Sequence, residues 1–142
     1  AHAAALMEDE ALVNAFAHLA ALRKPLELYE PHFRRCVLHV GDAAYAFIKA
    51  LDNADKLAGR AWNVGAENVT KAELCGLIKQ AEPSFRWALN DGSDPDQRDY
   101  AVSSARFQDA TGWRPVIPLS AGIDGMLRTF RMPFDGPAWR NA

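Results

Sequence analysis

Two arginines carry most of the chemistry that this sequence offers. Arg98 stands in the run Asp94-Pro95-Asp96-Gln97-Arg98-Asp99-Tyr100, an acidic segment in which Asp94-Pro95 favours a turn. Arg35 follows Arg34 and leads into the apolar run Cys36-Val37-Leu38-His39-Val40. A guanidinium held at a rigid junction can make two parallel hydrogen bonds to a phosphate. Two of them meeting on one diphosphate would each contribute about 1.5–3 kcal/mol as charge-assisted bonds. Each arginine also has a plainer reading, Arg98 as paired with its acidic neighbours on a solvated turn and Arg35 as a surface residue before a strand.

Three other residue sets invite a chemical reading. Tyr29 ends the apolar run 26–29, where a planar ring could stack on a base or simply pack. His39 lies between Leu38 and Val40, which reads as a packed histidine rather than an acid or base. Tyr45 and Lys49 share a helix face at a four-residue spacing, and a lysine there could lower a tyrosine's pKa. That pair is rejected as catalytic, because no serine- or threonine-bearing strand precedes it to polarise a carbonyl. The expected catalytic set is therefore empty in this chain.

The elements that must position these residues are legible from periodicity. Leu12, Phe16 and Leu19 form a helical stripe, as do Ala44, Phe47, Ile48 and Leu51, then Leu74, Leu77, Ile78 and Ala81, and finally Ile123, Met126, Leu127 and Phe130. Each is a face that must be buried against something. Thr70-Lys71-Ala72-Glu73 has the form of a capping box. Asp42 and Ser120 are expected as caps of the second and last helices. A shorter helix is expected over 104–110, ending at Gly112. Short apolar runs at 26–29, 37–40, 61–64 and 85–89 read as strands. Strands alternating with helices favour a mixed α/β arrangement with parallel pairing. Segment 61–64, between Gly59 and Gly65, looks like an interior strand that expects neighbours on both edges. The tail 133–142, with two prolines and one glycine, reads as irregular.

Composition limits the classes. The 142 residues are one domain's worth of chain, and 49% apolar with 24% charged residues is ordinary for a globular protein. A net charge of −2 does not suggest a polyanion-binding surface, so a nucleic-acid reader is not expected. Cys36 and Cys75 sit in apolar runs without metal-ligand spacing, which favours reduced thiols and a cytoplasmic location. No apolar run approaches the ~20 residues that span a bilayer. The first residues lack a starting methionine and read as a cut end of a longer chain.

Four motifs in order resemble one family. Arg35-Cys36-Val37-Leu38-His39-Val40-Gly41-Asp42, Asn63-Val64-Gly65 with Asn68-Val69-Thr70, the Asp94–Ser103 segment and Gly112-Trp113-Arg114-Pro115 are similar to the C-terminal half of extended short-chain dehydrogenases. The likeness is to the NAD-dependent nucleotide-sugar epimerases and dehydratases in particular. It runs over about 12–132, with Cys36 where the family has a polar residue. The resemblance implies an α/β fold, the C-terminal fragment of an extended Rossmann-type enzyme with a few short strands and about five helices. It further implies that 1–132 is the substrate lobe with adjoining pieces of the nucleotide-binding sheet. Arg35 and Arg98 would contact the diphosphate of a nucleotide sugar, with Tyr29 beside the base. NAD or NADP would be bound by an N-terminal Rossmann domain that this chain lacks, along with the tyrosine–lysine pair. There a tyrosinate takes a hydroxyl proton as hydride passes to the nicotinamide. Dimerisation would use helices outside this chain, and no membrane or nucleic-acid partner is implied. A non-catalytic binding protein of this descent, or a reductase for a non-nucleotide substrate, are the alternatives.

Overall fold

The computed structural model describes residues 12–94 and 96–132, so Pro95 and the tail 133–142 lie outside the described residues. In chain order the elements are α1 (Leu12–Ala21), β1 (Leu26–Leu28), β2 (Arg34–Val37), α2 (Val40–Asp52), α3 (Ala54–Leu57), β3 (Glu67–Thr70), α4 (Lys71–Ala81), β4 (Trp87–Leu89), α5 (Ala105–Thr111) and α6 (Leu119–Arg131). The architecture is mixed α/β, as expected, with six helices among the described residues. The additional one, α3, is a single turn of four residues. None of the described helices is long and apolar enough to cross a membrane.

Two cores form. In the larger, Phe16 and Ala20 of α1, Leu26 and Leu28 of β1, Leu74 and Ile78 of α4 and Ile123 and Leu127 of α6 pack into one cluster with Phe85. Three of the four predicted stripes thus bury the faces their periodicity named. The smaller core joins Ala46 of α2 and Leu57 to Phe107 and Trp113, with Trp62 and Val64 half-buried beside them. Phe107 meets Trp113 edge-on at 5.8 Å between ring centroids, a favoured aromatic geometry.

The strands depart from expectation in three ways. β1 and β4 pair in parallel, Leu26 with Trp87 and Leu28 with Leu89. β2 and β3 instead pair antiparallel, Arg34 with Thr70 and Val37 with Glu67. The second strand also starts earlier than 37–40, taking in both arginines, because Leu38-His39-Val40 turns into α2. Segment 61–64 belongs to no strand among the described residues, and the strand role falls to β3 next to it.

Helix starts are corrected as well. α4 has the predicted capping box, with Thr70 accepting from the Glu73 amide and Glu73 reaching back to the Thr70 amide. α2 is capped by His39, whose Nδ1 accepts from the Gly41 amide at 3.0 Å, and not by Asp42. The Asp42 carboxylate is buried and accepts from the amides of Val116 and Ile117 at 3.1 and 3.0 Å, tying the 113–117 loop to α2. Ser120 does not cap α6; Pro118 holds that place, and the Glu67 carboxylate of β3 accepts from the Leu119 amide at 2.9 Å. α5 ends as expected at Gly112, whose φ of 70° is left-handed.

Candidate functional site

β2 and α4 present their cations to the acidic segment 94–100. The Arg34 amide and Nε donate to Asp99 Oδ1 at 2.9 and 3.3 Å. Arg35 Nη2 donates to Asp96 Oδ2 at 2.9 Å. Lys71 Nζ, fully buried at the start of α4, donates to Asp94 Oδ2 at 2.6 Å and to the Tyr29 carbonyl at 3.2 Å. Three cation–carboxylate pairs therefore clasp this segment onto the strand and helix beside it. Farther along, the side-chain amide of Asn68 holds residue 102 like a ladder rung, accepting from the Val102 amide at 2.8 Å and donating to its carbonyl at 2.9 Å.

Within that clasp the two predicted arginines come together. Arg98 Nε and Nη2 fork onto Asp96 Oδ1 and Oδ2, both at 2.7 Å. Arg35 reaches the same carboxylate from β2 and also donates through Nη1 to the Arg34 and Arg98 carbonyls. Arg35 lies inside β2 and is buried, so it is neither exposed nor ahead of the strand. The Tyr100 ring stands 5.7 Å from its guanidinium, close enough for cation–π attraction. The Arg98 side chain is 72% exposed, and among the described residues its Nη1 makes no hydrogen bond. A guanidinium has five N–H donors, so after binding Asp96 both arginines keep donors in hand.

Electrostatics follow this geometry. The Arg98 side chain, and then its amide and Arg35, hold the Asp96 carboxyl well below the usual carboxylate range. The Arg34 amide and then its guanidinium likewise lower Asp99. The hydrogen bond to Glu27 raises the Tyr29 phenol.

Arg35, Asp96, Arg98, Tyr29, Tyr100 and Lys71 all line one cleft of about 1390 Å³, large beside the ~300–1,000 Å³ of common ligand pockets. The Tyr29 hydroxyl donates to Glu27 Oε2 at 3.0 Å. Its ring lies close enough to Gly92 that a Cβ there would stand 2.9 Å from Tyr29 Cε1. His39 lines the cleft but spends Nδ1 on the helix cap. Tyr45 is outside the cleft lining and exposed, with Lys49 Nζ 5.4 Å from its ring centroid. Sequence reasoning missed Asp96, Tyr100 and Lys71 as parts of the site. The Asp96–Arg98 pair is local, two residues apart, and matches the plainer reading of Arg98; what the sequence does not announce is the partner 61 residues away for Asp96 and 23 for Lys71.

The fold around this cleft recurs over part of several solved chains, among them a sugar epimerase and a dehydrogenase, in line with the mixed α/β fold expected from the sequence. Among solved structures the chain is similar to RMD from Pseudomonas aeruginosa complexed with NADPH. There the TM-score is 0.73 at 23% identity, over 88% of this chain and 44% of that one. It is also similar to UDP-glucuronic acid 4-epimerase from Bacillus cereus in complex with UDP-glucuronic acid and NAD, with TM-score 0.73, 13% identity, and 87% and 40% of the two chains covered. A GalE-like L-threonine dehydrogenase from Cupriavidus necator, in its apo form, has the same fold at TM-score 0.65 and 19% identity, over 80% of this chain and 43% of that one. In sequence the chain is similar to CDP-paratose 2-epimerase from Salmonella typhi, 28% identical over 96 residues, which are 65% of this chain and 28% of that protein. No protein-family model matches the chain. The chain thus spans about two-fifths of the solved chains it resembles and less of the curated relative.

Proposed function

We propose that this chain is the nucleotide-diphosphate-sugar-binding part of an NAD(P)-dependent epimerase, dehydratase or reductase. The observation that supports it is the convergence of Arg35 and Arg98 on one carboxylate in the wall of a large cleft. A diphosphate arriving there meets the exposed Arg98 guanidinium, with Nη1 unspent, and behind it the buried Arg35 that shares the same Asp96 carboxylate. Pre-positioned charge of this kind removes the cost of assembling the clamp during binding. Tyr29, seated at the cleft's edge, would flank the base.

This chain's residues do not suit the dinucleotide. The sequence has no Gly-x-Gly-x-x-Gly run between a strand and a helix, and none of the described helices opens on such a loop. NAD or NADP belongs in this reading to a separate nucleotide-binding half, which also supplies the proton-transfer groups. The work of this chain is to bind and orient, and by itself it would be inactive. Two unpaired thiols, Cys36 and Cys75, suit the cytoplasmic location that goes with the reading.

Calorimetry on the intact protein tests it, after a thermal-shift screen of UDP-, GDP-, CDP- and dTDP-sugars picks the ligand. Arg98→Ala should weaken binding at least tenfold, since losing one charge-assisted bond of about 1.5–3 kcal/mol corresponds to roughly that factor or more. Unchanged affinity in Arg98→Ala would sink the clamp.

A second reading draws on a specific feature. Asp96 satisfies both arginines internally, so the trio can also stand as a structural clasp, and the same fold occurs in an L-threonine dehydrogenase. On that reading the chain serves a reductase whose substrate has no phosphate, and the thermal-shift screen returns nothing for any nucleotide sugar.

A further inference from the structure

Lys71 stands where a cation is costly. Its side chain is 1% exposed, and an ammonium taken out of water carries a desolvation penalty that its ion pair only partly repays. It is also the first residue of α4, at the positive end of the helix dipole, where anions are favoured and cations are not. Apolar residues in place of a buried ion pair often fold equally well. Stability therefore does not account for this lysine.

What the ammonium joins does account for it. Nζ donates to Asp94 Oδ2 at 2.6 Å and to the Tyr29 carbonyl at 3.2 Å, with the Phe33 ring centroid 5.5 Å away. The other Asp94 oxygen, Oδ1, accepts from the Asp96 amide at 2.9 Å. One carboxylate thus passes the position of Lys71 on to the residue that orients both arginines. A second tie runs beside the first. Glu30 Oε2 accepts from the Asp94 amide at 3.0 Å, and Glu30 itself has a left-handed φ of 41°. That conformation is costly for a residue with a Cβ and persists only where the surrounding contacts over-determine it. The turn after Tyr29 and the Asp94 backbone are fixed on each other twice.

We propose that Lys71 is a positioning residue of the ligand site, whose ammonium sets the spacing between Tyr29 at the base end and the Asp96–Arg98 pair at the diphosphate end. The inference rests on the nucleotide-sugar reading above and deepens it, because it assigns the preorganisation of both ends to one buried cation. Lys71 lines the cleft, but it acts through Asp94 and the Tyr29 carbonyl and not by touching the ligand. With a neutral side chain there, the two ends become separate pieces that binding has to order.

Lys71→Met tests it, since it keeps the length of the side chain and removes the charge. In the unliganded intact protein, hydrogen exchange should find the Asp96 amide about tenfold less protected in the variant than in the native chain. Calorimetry with whichever UDP-, GDP-, CDP- or dTDP-sugar the thermal-shift screen selects should show affinity weakened about tenfold or more. Lys71→Met also strands the Asp94 carboxylate, so Tm should fall. The double variant Lys71→Met with Asp94→Leu removes both charges and should regain most of that Tm while binding as weakly as the single one. Binding that returned along with Tm would overturn the proposal, because the lysine would then only balance a buried carboxylate. Unchanged Asp96 protection or unchanged affinity in Lys71→Met overturns it as well. Should Lys71→Met not fold, the double variant stands in for it, and near-native affinity there is the overturning result. If the native protein binds no nucleotide sugar, the functional reading falls, and hydrogen exchange alone decides whether Lys71 holds Asp96 in place. Binding that depends on Arg98 but not on Lys71 defeats only this inference.

Discussion

Asp96 is the residue on which the site turns, because one carboxylate fixes two guanidiniums that arrive from different elements. Its charge is what orients them, so the clasp should respond to acid in a defined direction. A carboxyl whose folded pKa is depressed adds stability above its unfolded value, about 3.9, and loses that contribution as pH falls toward the folded value. Comparing the native protein with Asp96→Asn, the difference in Tm should be constant above about pH 5. It should shrink only below about pH 4. A difference that vanished nearer neutrality would show that the carboxylate is not the orienting group. Asp42 makes a contrasting case at the same scale. It is buried, no ion pair reaches it among the described residues, and it accepts two amides from the 113–117 loop. Asp42→Ala leaves those amides without their acceptor, a cost of about 1–3 kcal/mol that a shift in the denaturant midpoint would report. The sequence pointed to Asp42 as a helix cap because acidic residues favour that place; only the fold reveals that the loop it serves is 71 or more residues away.

At the scale of elements, what is local was readable and what is paired over distance was not. The capping box of α4 is wholly local, and all of its bonds are present. Thr70→Ala should therefore cost about 1 kcal/mol, visible as a lower Tm, whereas Thr70→Ser should retain most of it. Cys75, on the buried face of the same helix, is pushed up to about 12 by desolvation. Its thiol should resist alkylation at pH 8 in the folded protein and react once the chain is unfolded. The stripes named three buried faces correctly because 3.6-residue periodicity records amphipathicity. The α2 stripe shows the limit of that reasoning, since a pattern states that a face wants cover without saying what supplies it. Strand placement failed for a related reason. Short apolar runs identify an extended tendency, but β2 and β3 are defined by each other, and their ladder brings polar Arg34, Arg35, Asn68 and Glu67 into a sheet.

The whole molecule is two cores joined by a narrow seam, and the seam gives the last prediction. β2 leads into α2 and the smaller core, while β3 leads into α4 and the larger one. Gly65 sits where they meet. Its amide donates to Ser104 Oγ at 2.7 Å, and that hydroxyl donates back to the Gly65 carbonyl at 2.9 Å. Ser104 thus holds the start of α5 to the seam instead of capping its helix by side chain. A Cβ at Gly65 would fall on the Cys36 sulfur of β2, so no other residue lets these segments approach as they do. Its φ is not in the left-handed region, so close approach and not a turn is the reason for glycine here. Gly65→Ala must displace the Cys36 sulfur and, where that side chain has no room to turn, the β2 backbone that carries it, an overpacking cost of about 1–3 kcal/mol. Because Arg35 lies in β2, the displacement should also disturb the Arg35–Asp96–Arg98 arrangement at a distance. Gly65→Ala should therefore lower Tm and, if the proposed function holds, weaken nucleotide-sugar binding with it. The double variant Gly65→Ala with Cys36→Ala, which vacates the sulfur's position, should recover most of both. Recovery of stability without recovery of binding would show that the seam supports the fold but does not set the clamp.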